Sequence, residues 1–390
     1  MFKKKYDLAI INRSFWPDNK ILGEAKLRLA EEMSRNYRVC VIAQSALNLQ
    51  QEARDKNRGK GIRFFSSKSR SNSSSHLLLR IADAFVFSPY VFLSLCRARP
   101  KHVYVSTNPP VVVPFIAFLY CFIFRAEYTY HLQDIHPEIT NIIIPINKLL
   151  FGLLRKIDNI AIRNAREIIT LSEDMAHFIR LRSKAKIPIH LITNPAFDLG
   201  EPATNLEKKS DIVFCGNAGR LQLIPTLVEA IAKFLEQGGN LTFTFVGSGV
   251  NADKLRELAL KYEQVSYLGY LQPDKASRIV AEHRWALLPL KDEVTKYAFP
   301  SKSTSYLIAN CRILGICGPD TSLARWITEN GHGISVAPEV DQIVTVLWQI
   351  QLDEVHVENP NKESEQYTIA QFVNRIVSIL KPTNLRGDDF

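Results

Sequence analysis

The sequence predicts an α/β protein made of two doubly wound, Rossmann-like domains. Short apolar runs that read as strands alternate with runs of helical periodicity, the pattern of a parallel sheet covered on both faces. At 390 residues the chain exceeds what a single core organises. The alternation also halts at a polar stretch, residues 199–210 (LGEPATNLEKKS), and then begins again. The expected domains are 1–198 and 199–365. Residues 366–390 are expected to form a C-terminal helix and tail that return to the first domain.

Tyr6 to Asn12 reads as the first strand, followed by the loop 13–23 (RSFWPDNKILG). Glu24 to Ser34 is a helix through Ala25, Leu27, Leu29, Ala30 and Met33, and Val39 to Ala43 is the second strand. Ligands bind at such strand-end loops in open parallel sheets. With Gly23 as its single glycine, this loop is no dinucleotide fingerprint. Ile62 to Phe65 is a third strand. The run from Ser66 to His76 (SSKSRSNSSSH) is expected to be a solvated loop, which its composition favours over a loop closing on an acceptor.

Two apolar stretches follow. Leu77 to Cys96 is interrupted by Arg80, Asp83 and Pro89. Pro109 to Phe124 has 14 residues after its proline pair, with Pro114 among them, whereas a membrane span needs about 20. Buried or half-buried helices are the expectation. Arg97, Arg99, Lys101 and Arg125 flank a segment rich in Phe, Leu and Tyr, which equally suits a helix face on an anionic bilayer.

Val103 to Val105 and Tyr128 to Leu132 are further strands. The second runs into HLQDIHPE, so Asp134, His136 and Glu138 lie at a strand's C-terminal end as acid/base candidates. Any one of these histidines alone more often has a structural role. Ile142 to Ile160 carries a helical pattern. Glu167 to Ser172 and Ile189 to Ile192 are strands around a helix from Asp174 to Leu181.

The second half opens with a strand, Asp211 to Cys215, the loop GNAGRLQ, and a helix from Ile224 to Leu235. Leu241 to Val246 is a strand ending in Gly247-Ser248-Gly249, with a helix from Asp253. Val265 to Leu268 and Trp285 to Leu290 are strands separated by a helix, Asp274 to Glu282. Then comes YAFPSKSTSYLIANCRILG, with a turn at Pro300-Ser301-Lys302, a helical run, and a strand from Ile313. Gly333 to Val336 closes the sheet, and Val340 to Leu352 and Thr368 to Leu380 are late helices. Two junctions, Cys215 to Gln222 and Pro300 to Lys302, bring free amides and a cation to a helix start, an arrangement that suits an anion.

Net charge is +10, with 46% hydrophobic and 23% charged residues, so an anionic partner is expected. No zinc-finger spacing, basic-region helix or aromatic RNA-binding signature occurs, which excludes nucleic acid and leaves phosphate or an anionic membrane surface. The six cysteines form no CxxC pair and read as reduced thiols of a cytosolic protein. The apolar run of the N-terminus, Leu8 to Ile11, is too short for a signal peptide. No carboxylate pair is spaced for a metal.

GNAGR after the first strand of the second half, VGSG after the next, and PSK before a helix together resemble the GT-B-fold glycosyltransferases. More narrowly, they resemble the retaining family-4-like enzymes of bacterial surface-polysaccharide assembly. The resemblance runs from FWPD through LSEDM and ITNPAFD to GISVAP. It implies two domains facing across a cleft, a nucleoside diphosphate sugar held by the second (UDP favoured) and an acceptor held by the first. Gly216, Asn217, Gly219, Arg220, Gln222, Ser301, Lys302 and Ser303 would take the diphosphate, with Arg220 and Lys302 as its converging cations. Both would also offset charge on the departing diphosphate, with no metal or other cofactor. Gly247, Ser248, Gly249, Gly269, Tyr270, Leu271 and Ser305 would meet the nucleoside. Asp134 and His136 would do acid/base work, and Asp18, Asn19 and Gly23 would form the acceptor loop. Relatives often carry two glutamates eight positions apart, and Tyr297 and Ser305 stand in those places.

The leading expectation is a retaining sugar transfer to a polyprenyl-diphosphate-linked or saccharide acceptor, in polysaccharide or O-antigen synthesis. The protein would be cytoplasmic and peripheral on the inner membrane face. The absent glutamates keep a catalytically inactive GT-B-like subunit as the alternative. A sugar-nucleotide epimerase is the third reading, though it has no need of an apolar first-domain surface.

Overall fold

A computed structural model describes residues 5–69, 77–196, 207–355, 357 and 364–381. They divide into two compact units, Met1–Ile192 with Ile369–Phe390, and Thr193–Thr368. In the first unit the chain runs β1 (Tyr6–Ser14), α1 (Leu22–Ser34), β2 (Val39–Ser45), α2 (Leu49–Asp55), β3 (Arg63–Lys68), α3 (Leu77–Ala98), β4 (Pro100–Ser106), α4 (Val112–Phe124) and β5 (Glu127–His131). It continues through α5 (Glu138–Ile143), α6 (Lys148–Asn164), β6 (Glu167–Thr170), α7 (Glu173–Ser183) and β7 (Ile189–Leu191). Every strand pairing is parallel, in the order β3-β2-β1-β4-β5-β6-β7. The winding reverses between β1 and β4, and the loops after those two strands flank the crevice where such sheets bind ligands.

The second unit comprises β8 (Ser210–Cys215), α8 (Ile224–Glu236), β9 (Phe243–Val246), α9 (Ala252–Lys261), β10 (Val265–Gly269), α10 (Pro273–Ala281) and β11 (His283–Pro289). Next come α11 (Asp292–Thr295), α12 (Lys302–Ile308), β12 (Arg312–Ile316), α13 (Ser322–Glu329), β13 (Gly333–Val336) and α14 (Val340–Gln351). The order β10-β9-β8-β11-β12-β13, again all parallel, places the reversal between β8 and β11. The last helix, α15 (Ile369–Leu380), belongs to the first unit, where Phe372, Val373 and Ile376 join the core that α1 makes with β1 and β2.

Both parallel sheets are doubly wound, as expected from the alternation. β2 is buried at all seven positions, so helices cover both its faces. Several expected elements differ. Ser66 to Lys68 is strand, not loop: Ser66, Ser67 and Lys68 pair with Ala43, Gln44 and Ser45, and a polar, basic sequence suits this sheet edge. Residues 70–76 of the expected loop, and most of the expected linker at 199–210, lie outside the described residues. Leu77 to Ala98 is one continuous helix despite Pro89. The pattern at Ile142 to Ile160 is two helices, because Ile144 precedes Pro145 and takes extended backbone (φ −138°, ψ 112°). Asn147 then caps α6 by accepting the Leu149 amide at 2.9 Å. The short helices α2, α11 and α13 were not anticipated.

Candidate functional site

The second unit gathers the expected donor residues where its winding reverses. β8 ends at Cys215, and the chain continues through Gly216 at φ +143°, a conformation glycine adopts without strain. Two hydrogen bonds fix α12 to this point. The Cys215 amide donates to the Tyr306 hydroxyl at 3.0 Å, and that hydroxyl donates to the Cys215 carbonyl at 3.2 Å. Lys302, one helical turn before Tyr306 on the same face, is thereby laid across Gly216. A Cβ at Gly216 would stand 1.8 Å from Lys302 Nζ. The ammonium lies 4.5 Å from the centroid of the Phe214 ring, a cation–π placement. Burial lowers the Lys302 pKa to about 8, and the neighbouring Cys215 acts in the opposite sense.

Three loops are laced around this lysine. The Gly216 amide donates to the Val246 carbonyl at 2.7 Å, and the Ala218 amide to the Ser248 carbonyl at 2.8 Å. Gly247, at φ +131°, sits so close that a Cβ would be 1.9 Å from the Gly216 carbonyl oxygen. A Cβ on Gly249 would be 2.6 Å from Asn217 Oδ1. The Gly247 amide donates to the Gly269 carbonyl at 2.7 Å, which brings Tyr270 and Leu271 alongside, with Tyr270 exposed. Arg220 is exposed, on the same loop as Gly216 and Gly219. Ser301 is exposed, and Ser305, one turn after Lys302, is half-buried.

Two expected diphosphate contacts are spent inside the scaffold. Ser303 is buried, and both its amide and its hydroxyl donate to the Pro300 carbonyl, at 3.2 and 2.8 Å. It closes the turn instead of presenting a donor to a ligand. Gln222 accepts the Gly219 amide at 3.1 Å through its side-chain oxygen, and so braces the loop from below. Tyr306 is not among the expected site residues, although its spacing of four from Lys302 is the available signal.

In the first unit Asp134 and His136 follow β5. Burial raises the Asp134 pKa to about 6, within the range useful for general acid/base work. Burial, helped by Arg182, lowers that of His136 to about 4, so its ring is neutral at pH 7; Nδ1 lies 2.7 Å from Thr140 Oγ1. Glu138 is not available as an acid or base. Its buried carboxylate accepts Arg182 at 2.7 Å and pairs with Arg155 at 3.3 Å. Arg182 also binds the Asp158 carboxylate and donates to the His136 carbonyl at 2.9 Å, while Tyr130 donates to Asp158 at 3.0 Å. This buried network, invisible in the sequence, holds the turn that carries His136.

The expected acceptor loop is largely held by its own atoms. Asn19 Oδ1 accepts the amides of Ile21 and Gly23, each at 3.2 Å, and Asn19 Nδ2 donates to Ser14 Oγ at 3.3 Å. Asp18 is exposed and accepts the Ser45 hydroxyl at 2.8 Å. Gly23 permits close packing, since a Cβ there would lie 2.7 Å from the backbone at Phe15 and Trp16. Asn19 and Gly23 therefore shape the expected acceptor loop from within. Among the described residues, no group of three or more His, Cys, Asp or Glu side chains is placed to hold a metal ion.

No family model matches the chain, and no curated protein matches it in sequence. Solved structures do. HepE from Anabaena, determined in complex with UDP, is 14% identical with a TM-score of 0.61, covering 96% of this chain and 99% of that one. Sucrose-phosphate synthase from Thermosynechococcus elongatus is 12% identical at a TM-score of 0.66, covering 97% and 98%. The UDP-GlcNAc 2-epimerase of Methanocaldococcus jannaschii is 13% identical at 0.56, covering 96% and 99%. At these identities the likeness establishes the fold: the chain has the GT-B architecture of two Rossmann-like domains.

Proposed function

We propose that this protein is a retaining glycosyltransferase that takes a sugar from a UDP-sugar and passes it to a saccharide or polyprenyl-diphosphate-linked acceptor in surface-polysaccharide synthesis. The observation that carries the reading is Lys302 lying across Gly216 at the β8–β11 reversal, with Arg220 on the same loop. Backbone bare of side chains, one fixed cation and one exposed guanidinium suit a diphosphate. The HepE structure contains UDP, which supports the same ligand here. In this reading the diphosphate settles on Gly216 and Gly219. Lys302 then offsets the charge that builds on it as the glycosidic bond to the sugar breaks, with no reorganisation needed at that moment. In the first unit Asp134 and His136 are the candidates for moving the acceptor's proton.

UDP is expected to raise the melting temperature, more than GDP or ADP does, and Lys302→Ala or Arg220→Ala to abolish that rise. Because Lys302 is cationic below a pKa of about 8 and neutral above it, UDP affinity should fall as pH climbs through that value. A wild-type protein that responds to none of the three nucleotides would end the reading. Release of UDP from a panel of UDP-sugars then separates an active transferase from an inactive nucleotide-binding subunit.

An anionic membrane surface as partner draws support from α4 and α6, which pack together in the first unit. Phe122 is 75% exposed, and Leu149 and Leu153 are 85% and 55% exposed beside Lys148 and Lys156. Among the described residues no helix is long and apolar enough to cross a membrane, so the contact would be peripheral. The protein is expected to co-sediment with phosphatidylglycerol vesicles and not with phosphatidylcholine ones. Leu149→Ser with Leu153→Ser should weaken this about tenfold or more, as the loss of two inserted leucines implies. Equal sedimentation with both lipids, or no change in the double variant, would remove the membrane partner.

A further inference from the structure

Lys26 lies in the first turns of α1, is fully buried, and among the described residues has one hydrogen-bond partner, the hydroxyl of Ser106 at 3.2 Å. An ammonium has three protons to donate and no lone pair. The Ser106 hydroxyl, accepting from it, must send its own hydrogen elsewhere, and it donates to Asn12 Oδ1. Asn12 Nδ2 donates in turn to the Ser14 carbonyl. Ser14 Oγ accepts Asn19 Nδ2, and Asn19 Oδ1 holds the amides of Ile21 and Gly23 at the start of α1. The chain of contacts therefore closes on itself. It begins at a side chain of α1, crosses the ends of β4 and β1 at the point where the first sheet reverses, and returns through the loop to the start of α1.

We propose that Lys26 is a positioning residue whose neutral form latches the Ser14–Gly23 loop through Ser106 and Asn12, and that gain of a proton slackens the loop. A neutral amine still donates to Ser106, which keeps its own hydrogen for Asn12 Oδ1, whereas an ammonium carries further protons that find no acceptor among the described residues until the loop admits water. The latch then opens at its most buried link. That the loop receives the acceptor rests on the function proposed above; the latch itself does not.

The charges around Lys26 leave it free to act as the titrating member. On β5, His131 is buried and held neutral, its pKa lowered to about 3 by burial and by Lys26. Tyr104 on β4 lies 2.6 Å from His131 Nδ1, and burial raises its pKa above the usual phenol range. On β2 the one ionisable group is Cys40, whose thiol burial pushes up and so keeps protonated, and Arg375 of α15 donates to the Leu191 carbonyl. From β1, Arg13 faces Gln44 and Asp83, at 2.7 and 3.6 Å. On α1 itself Glu24 and Glu31 are engaged by Arg28 and Arg58. Burial brings the pKa of Lys26 down to about 7, so its charge changes near neutral pH.

Hydrogen–deuterium exchange of the full-length protein tests this, with rates corrected for intrinsic base catalysis. Peptides spanning 14–23 should gain about tenfold in protection between about pH 6 and about pH 8, because opening the latch takes up a proton, while strands of the second unit stay constant. Lys26→Met and Ser106→Ala should each remove the step, one by deleting the charge and the other by cutting its link to Asn12. A flat wild-type profile, or a step that survives in either variant, overturns the proposal. If the step is present but UDP neither binds nor is released from a UDP-sugar, the transferase reading fails and the latch stands.

Discussion

Gly216→Ala is expected to abolish most UDP affinity in a protein that still folds. The new methyl would occupy the space of the last two atoms of the Lys302 side chain, 1.8 Å from Nζ and 1.9 Å from Cε. Because the obstacle is the flexible end of a lysine, the lysine moves and the backbone stays. Alanine at φ +143° adds strain of about 1–3 kcal/mol. Displacing the ammonium loses a charge-assisted contact worth roughly 1.5–3 kcal/mol, or about ten- to a hundredfold in affinity. Gly238→Ala is the control. It also has positive φ, +93°, but nothing within 4 Å of the added methyl, so it should lower stability and leave UDP binding alone. Titration calorimetry with both variants decides the matter: equal UDP affinity in Gly216→Ala and wild type would show that Lys302 does not meet the diphosphate.

That test depends on a contact between residues 86 positions apart, and such contacts mark where the sequence stopped being informative. The strands were legible because a parallel strand covered on both faces is a nearly unbroken apolar run, as at Val39 to Ala43 and Ile313 to Leu314. The glycines and the lysine of the donor site were legible as types, since an anion site needs bare backbone and a cation. What fastens them together was not. The partner of Tyr306 is the backbone of Cys215, at the end of β8, which no spacing within α12 reveals. Ser66 to Lys68 looked like loop because edge pairing with Ala43 to Ser45 is a property of the neighbour. Arg182 lies just past the helix read from Asp174 to Leu181, and nothing near it in sequence shows that it is the buried centre of two ion pairs. The break at Ile144 was readable in principle from Pro145 and was overridden by the apolar periodicity on either side.

The same reasoning separates residues that touch a ligand from residues that hold the frame. Ser303 and Gln222 in the second unit, and Asn19 and Gly23 in the first, carry the residue types of binding loops, but their polar atoms or their lack of a side chain serve the loop itself. Substituting them should alter ligand binding indirectly, through stability. Lys302 differs in that it lies across Gly216, at the end of β8, and Arg220 in that it is exposed on the loop that follows. The charged network under His136 belongs with the frame. Removing one partner of such a buried pair strands the other, which costs more than the pair contributes.

Lys26→Met is expected to stabilise the protein, and the sign follows from linkage. Unfolded, Lys26 binds its proton up to the ordinary value of 10.5; folded, it releases it near pH 7. Between those limits the unfolded state holds more protons, so stability rises with pH across that window. Below pH 7 the folded protein carries the whole desolvation cost. A depression from 10.5 to about 7 corresponds to about 5 kcal/mol. Methionine fills similar volume without the charge but forgoes the contact with Ser106, so a net gain of roughly 2–4 kcal/mol is expected at neutral pH. Urea unfolding at several pH values checks it. The advantage of the variant should be greatest at and below neutrality and shrink steadily as wild type recovers toward pH 10.5. A variant less stable than wild type, or a gain that does not vary with pH, would mean that the buried amine is not the titrating liability the structure makes it. A charge retained at that expense, at the point where the first sheet reverses, is the pattern expected of a group kept for what it does to the neighbouring loop.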